Sequence, residues 1–152
     1  MKPRQPLKVL VKRLANYPQG WKLPEYATVG SAALDLRNAG PAVTLHSLGR
    51  HLVPTGLSIA LPEGFEAQVR PRSGLAIKQG LSLVNTPGTI DSDYRGEILV
   101  PMINLDAGPQ TIEHGDRIAQ LLVAEVIRIA WEEADELPTS ERGTGGFGST
   151  GR

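Results

Sequence analysis

Apolar and polar residues alternate in short runs along most of this chain. Leu7 to Leu14 reads LKVLVKRL, and the same period recurs at Ala33 to Arg37, Val43 to His46, Gly56 to Leu61 and Phe65 to Arg70. A period of two puts alternate side chains on opposite faces of a strand. Leu81 to Asn85 and the apolar-rich Glu97 to Leu105 continue the series. Glycine and proline, 17 and 12 residues, are spread between the runs. Short strands separated by turn residues predict an all-β sandwich or barrel. Arg117 to Trp131 contains IAQLLVAEVIRIA, which has the length of a buried helix, but its Val and Ile content favours one long strand or two consecutive ones. One short helix is expected after Arg72, with Ser73 as its N-cap and Gly80 as its stop. Beyond Trp131 the chain turns acidic and polar (EEADELPTSE), then glycine-rich (RGTGGFGSTGR). Composition alone makes that segment a disordered tail. Phe147, an aromatic flanked by glycines, instead suits a mobile flap that closes over a flat ligand.

The 152 residues suffice for one domain around one core. Lys plus Arg equals Asp plus Glu, at 16 each, so no basic excess points to a nucleic-acid surface. The chain has no cysteine, which removes disulfides, thiolate catalysis and Cys-type zinc sites. The three histidines, His46, His51 and His114, are not in a ligand spacing. Lys8, Lys12 and Arg13 interrupt the N-terminal apolar run, so it does not read as a signal peptide, and no run reaches the ~18 residues of a membrane span. The expected location is the cytoplasm.

Five segments carry candidate chemistry. In GSAALDLRNA, residues 30 to 39, Asp35 stands inside an alternating pattern, where it either faces solvent or faces a cleft and holds a hydrated metal ion. In PRSGLAIKQG, residues 71 to 80, Arg72 precedes a helix start, and free N–H groups with an arginine bind phosphate as readily as they make a plain cap. NTPGTIDSDYRGE, residues 85 to 97, reads as an extended excursion between two strands. Pro87-Gly88 fits the centre of a type II turn, and Asp91 is a carboxylate able to deprotonate a water. GDRIAQL, residues 115 to 121, brings Arg117 and Gln120 to the border of an apolar run. RGTGGFGSTG, residues 142 to 151, has the glycines of a phosphate-cradling loop, without the lysine of a Walker A motif.

Taken in order, SAALDLRNA, PRSGLAIKQG, NTPGTIDSDYRGE, GDRIAQL and RGTGGFGSTG resemble the trimeric dUTP diphosphatase (dUTPase) family. The matches run from residue 31 to the C-terminus. One departure stands in the first: the family often has Gly-Tyr before the aspartate, where this chain has Ala33-Leu34. The resemblance implies a β-barrel or jelly-roll subunit with one short helix and a flexible Gly-rich C-terminal arm. It divides the chain into a β domain, 1–131, and an arm, 132–152, that closes a neighbouring subunit's active site in a homotrimer. It implies hydrolysis of dUTP to dUMP and pyrophosphate, keeping dUTP low and supplying dUMP for thymidylate synthesis. Asp91 would activate the water that attacks the α-phosphorus. Mg2+ would be held by the phosphates and waters, with Asp35 in the outer shell. Ser73 and Gly74 would lie near the α–β bridge, and Arg72 and Gln120 would steady the phosphates. Arg142, Gly148, Ser149 and Thr150 would close over the γ end while Phe147 stacks on uracil. Asn85, Gly88, Thr89 and Ile90 would read the uracil edge with Leu99 packed nearby, and Tyr94 would lie against the deoxyribose. Competing readings are a dCTP deaminase, a non-catalytic nucleotide-binding trimer, and a structural β-barrel; the last explains the strands and none of the five segments.

Overall fold

The computed structural model describes residues 6–146. Eleven strands and one helix follow in chain order: β1 (Leu10–Arg13), β2 (Leu34–Arg37), β3 (Val43–Leu45), β4 (Arg50–Pro54), β5 (Leu57–Ala60), β6 (Phe65–Pro71), α1 (Ser73–Gln79), β7 (Leu81–Leu83), β8 (Gly88–Ile90), β9 (Leu99–Asn104), β10 (Gln110–Ile112) and β11 (Arg117–Glu125). They form a four-stranded sheet ordered β2-β11-β6-β8, a three-stranded sheet ordered β4-β9-β7, and the pairs β1-β5 and β10-β3. Every pairing is antiparallel.

The two-residue period becomes burial directly. Along β6, Ala67 and Val69 are buried while Arg70 is exposed; along β9, Val100, Met102 and Asn104 are buried and their neighbours are not. Leu36, Val53, Ala67, Leu81, Val100, Met102, Ile112, Ile118 and Leu121 join one core fed by all four sheets. Each large apolar side chain buried there contributes ~1.5–3 kcal/mol against leaving it in water. Two amides sit fully inside this apolar set and are fully bonded. Asn104 Nδ2 donates to the Leu45 and Gly108 carbonyls, and its Oδ1 accepts from the Asp106 N–H. Asn38 Nδ2 donates to the carbonyls of Pro41 and Glu113, and its Oδ1 accepts from the Gly40 N–H.

β7 and β9 are antiparallel neighbours, with Leu81 opposite Asn104 and Leu83 opposite Met102. The chain between them is the expected excursion, and it does more than turn. Its strand β8 crosses to the other large sheet and pairs with β6, Val69 opposite Gly88 and Ala67 opposite Ile90.

Several expectations are corrected. Ser73 is the first helical residue, not the N-cap; Arg72 takes that place, and no side chain caps the helix. Pro87-Gly88 is not a type II turn: Gly88 begins β8, and it is absent from the described glycines with positive φ that such a turn requires. The apolar run after Arg117 leaves the sheet at Glu125, so Val126 to Trp131 adds no strand. Strands β4, β8 and β10 were not anticipated, since each is short and begins or ends beside Gly or Pro.

Gly80 ends α1 as expected, in the left-handed region at φ 61°, and its N–H donates to the Leu75 carbonyl. A Cβ there would lie 2.8 Å from the Asp106 nitrogen. Gly80→Ala is therefore expected to destabilise the fold by about 1–3 kcal/mol, read from urea unfolding; an unchanged midpoint would show that the turn adapts.

Candidate active site

The residues with candidate chemistry fall into two groups; the four-stranded sheet carries the first and shares the second with the three-stranded sheet and the excursion between β7 and β9. The first is polar. Asp35 on β2 lies opposite Gln120 on β11, and Gln120 lies opposite Arg70 on β6. Residues in one row of a sheet point to the same face, and Arg72 follows Arg70 by one period. Asp35 thereby meets two arginines. Its Oδ1 accepts from Arg72 Nε at 3.0 Å and its Oδ2 from Arg117 Nη1 at 3.2 Å. Gln120 Nε2 adds a longer bond to Asp35 Oδ1 at 3.4 Å, and Arg72 Nη1 also donates to the Arg117 carbonyl. The carboxylate holds both guanidinium groups in place, and among the described residues Nη2 of each has no hydrogen bond and can meet an anion.

Arg117 stands beside the expected site residues without having been assigned a role. A register shift in β11 between Arg117 and Ala119 brings it over Asp35, and no periodicity in the sequence marks such a shift. Ser73 and Gly74 begin the helix directly after Arg72.

The second group lines a pocket of about 180 Å³. Asn85, Gly88, Thr89, Ile90, Asp91, Tyr94 and Leu99 all contribute, together with Val69, Leu83, Glu97, Ile98 and Pro101. That volume is below the ~300–1,000 Å³ of pockets that enclose a whole ligand, so it suits one ring of a larger molecule. β8 is the last strand of its sheet, so the main-chain groups on its outer edge have no strand partner. An edge strand offers such groups to a ligand as readily as to another strand.

Asp91 lines this pocket and also an adjoining groove with Glu63, Glu66, Asp93, Arg95 and Arg128. Among the described residues no hydrogen bond or ion pair engages its carboxylate, while its carbonyl accepts the Tyr94 N–H at 3.1 Å. Tyr94 is not a core aromatic: it is 43% exposed. Its hydroxyl donates to the Glu97 carbonyl at 2.9 Å, which folds the ring back over Gly96. A Cβ at Gly96 would collide with that ring, so the residue must be glycine for Tyr94 to lie there.

This pocket contains none of Asp35, Arg72 or Gln120. Arg142 is exposed; among the described residues its side chain donates to the Gly145 carbonyl, and its own carbonyl accepts the Gly145 N–H. Phe147, Gly148, Ser149 and Thr150 lie outside the described residues. A third cavity, about 540 Å³, runs from Asp35 and Arg117 to Tyr17, Trp21 and Arg37. Burial raises the Tyr17 phenol above its ordinary pKa, with the Arg13 and Arg37 cations pulling the other way.

Among the described residues no three His, Cys, Asp or Glu side chains form a metal-holding cluster. Mg2+ does not require one. It keeps several waters and takes one or two carboxylates beside substrate phosphates, so a single partly exposed Asp35 fits a hydrated ion.

An all-β chain with a charged anion cradle and a separate small ring pocket has the makings of a nucleotide site. The dUTPase family model matches residues 19–151. The deoxyuridine 5'-triphosphate nucleotidohydrolase of Wolbachia sp. subsp. Brugia malayi is 52% identical over 152 residues, covering 98% of this chain and 97% of its own. The protein of the same name from Maricaulis maris is 55% identical over 146 residues, covering 94% and 95%. The Staphylococcus bacteriophage 80alpha dUTPase, solved with dUPNHPP, superposes with a TM-score of 0.84 at 26% identity, covering 95% of this chain and 99% of its own. The chain belongs to the dUTPase family.

Asp35 and Arg72 are each 23% exposed, and Arg117 is 54% exposed. Ion pairs with this much solvent are worth about 0–1 kcal/mol. Asp35→Ala is expected to cost no more than about 1 kcal/mol in urea unfolding, and less at high salt. A loss several times larger would make Asp35 a fold residue rather than a site residue.

Proposed function

We propose that this chain hydrolyses dUTP to dUMP and pyrophosphate, lowering dUTP and supplying dUMP for thymidylate synthesis. The observation that carries this is the pairing of a ring pocket bordered by the unengaged Asp91 carboxylate with an arginine cradle on the same sheet. A triphosphate needs several cationic donors, and an uncharged base needs shape and hydrogen bonds. A dCTP deaminase would need an acid–base group at the base; of the two carboxylates that line the pocket, Glu97 is engaged by Asn16 Nδ2 and the Gly56 N–H, which leaves Asp91.

In the proposed mechanism Asp91 takes a proton from water as the water oxygen attacks the α-phosphorus. The bond from the α-phosphorus to the bridging oxygen breaks, and pyrophosphate leaves. Arg72 and Gln120 steady the phosphates, with Ser73 and Gly74 at the α–β bridge. Asp35 keeps Arg72 and Arg117 in position and would hold a hydrated Mg2+, which would neutralise charge on the phosphates. Asn85 and the edge of β8 at Gly88, Thr89 and Ile90 read uracil, and Leu99 packs beside it. The Tyr94 ring lies against the sugar and leaves no room for a 2′-hydroxyl. Arg142, Phe147, Gly148, Ser149 and Thr150 close over the γ-phosphate and the base.

The proposal extends to a homotrimer whose sites are shared between subunits. Ile127, Ile129 and Trp131 alternate after the last strand and are 90%, 69% and 90% exposed. Three large apolar residues on one two-residue period would share one face of an extended segment with no core beneath it, and a second copy of the chain would supply one. The proposed location is the cytoplasm; no helix among the described residues is long and apolar enough to cross a membrane.

Four experiments test this. Incubation with dUTP or dCTP and Mg2+ should yield dUMP and pyrophosphate from dUTP only; ammonia from dCTP would instead support the deaminase. Asp91→Asn should keep nucleotide binding and lose turnover by a factor of ~100–10,000, and near-normal turnover would remove Asp91 from its role. Truncation before Arg142 should leave a folded trimer of little activity. Co-refolding that truncated chain with Asp91→Asn should restore part of the activity, because some sites then take an intact hairpin and an intact arm from different subunits. Persistent inactivity of the mixture would refute the shared site.

A further inference from the structure

Glu97 lines the ring pocket, and its side chain points to a different task. Its Oε1 accepts two hydrogen bonds, from Asn16 Nδ2 at 2.8 Å and from the Gly56 N–H at 2.7 Å. Asn16 lies between β1 and β2, and Gly56 lies in the turn between β4 and β5. One carboxylate thus ties the end of the excursion to two segments far from it in sequence. The main chain on either side is held by the same turn. Ser58 Oγ donates to the Arg95 carbonyl at 2.7 Å, and Thr55 Oγ1 donates to the Ile98 carbonyl at 2.7 Å. The Ile98 N–H donates to the Leu57 carbonyl at 2.8 Å.

The Glu97 carbonyl in turn accepts the Tyr94 hydroxyl. That is the one hydrogen bond of the Tyr94 side chain among the described residues, and the ring is too exposed for core packing to fix it. We propose that Glu97 is a positioning residue for sugar selection: its carboxylate fixes the main chain whose carbonyl sets the place of the Tyr94 ring. The inference rests on the reading of Tyr94 given under Proposed function. Hydrogen bonds to an ionised acceptor are stronger than neutral ones, which suits a carboxylate to hold two donors at once.

The test compares kcat/KM for dUTP and UTP in the wild type and in five variants, one of them double, with melting temperature as a folding control. Glu97→Ala should narrow the dUTP-to-UTP ratio by roughly tenfold, the equivalent of one charge-assisted hydrogen bond. Glu97→Gln should recover most of the ratio, since its amide oxygen accepts the same two bonds. Tyr94→Phe should narrow the ratio too, and adding it to Glu97→Ala should change little more, because the two act on one ring. Asn16→Ala, at an exposed position, should fold in any case and give an intermediate ratio. A ratio unchanged in Glu97→Ala, with only the melting temperature lowered, would overturn the proposal; should that variant not fold, an unchanged ratio in Asn16→Ala would do so. A wild type that does not hydrolyse dUTP would refute the functional reading itself, before any variant is compared.

Discussion

The ladder between β6 and β11 is the constraint on which the rest of the molecule depends. It runs without interruption from Pro71 opposite Ala119 to Phe65 opposite Glu125. Each strand spends its other edge on a strand that carries chemistry. β11 holds β2 and so brings Asp35 to Gln120; β6 holds β8 and so brings Gly88 to Ile90 beside Val69. A slip of one residue would turn every side chain to the opposite face. Asp35 would leave the arginines, and Val69 would leave the core. The buried positions Ala67, Val69, Ile118, Ala119 and Leu121 set the register, and the site follows from it.

That geometry separates two kinds of recognition. Charge gathers at the end of β6, where Asp35 holds Arg72 and Arg117 partly in solvent. Shape gathers around β8, in a pocket walled by Val69, Leu83, Ile90 and Pro101. A site that satisfies polar edges rejects analogues more strongly than an apolar wall alone. Asp91 stands at the rim of the shape-reading side. On the proposed mechanism a neighbouring subunit closes the gap between a base bound here and phosphates bound on a cradle, which gives the exposed apolar run at Ile127, Ile129 and Trp131 a physical purpose.

Much of the fold was legible from period two, because burial on one face is what that period encodes. β1, β2, β3, β5, β7, β9 and β11 fall inside the expected runs, and β6 extends one residue beyond its own. The short β4, β8 and β10 escaped, since three to five residues beside Gly or Pro carry too little pattern to separate strand from turn. The helix start was misplaced by one residue because a serine in a capping position looks the same whether or not it caps. Six residues expected at the base and sugar, Asn85, Gly88, Thr89, Ile90, Tyr94 and Leu99, line one pocket together with Asp91, while Phe147 lies outside the described residues. Arg117 and Glu97 were passed over for a common reason: their partners, Asp35 and Asn16 with Gly56, are 82, 81 and 41 positions away in sequence, and only the register of the sheets brings them near.

The central claim is that water, activated at Asp91, attacks the α-phosphorus of dUTP. Turnover in water enriched in oxygen-18, with mass spectrometry of both products, tests it directly. The account predicts that the label enters dUMP and that pyrophosphate carries none. Label in pyrophosphate, with unlabelled dUMP, would place the attack on the β-phosphorus and contradict it.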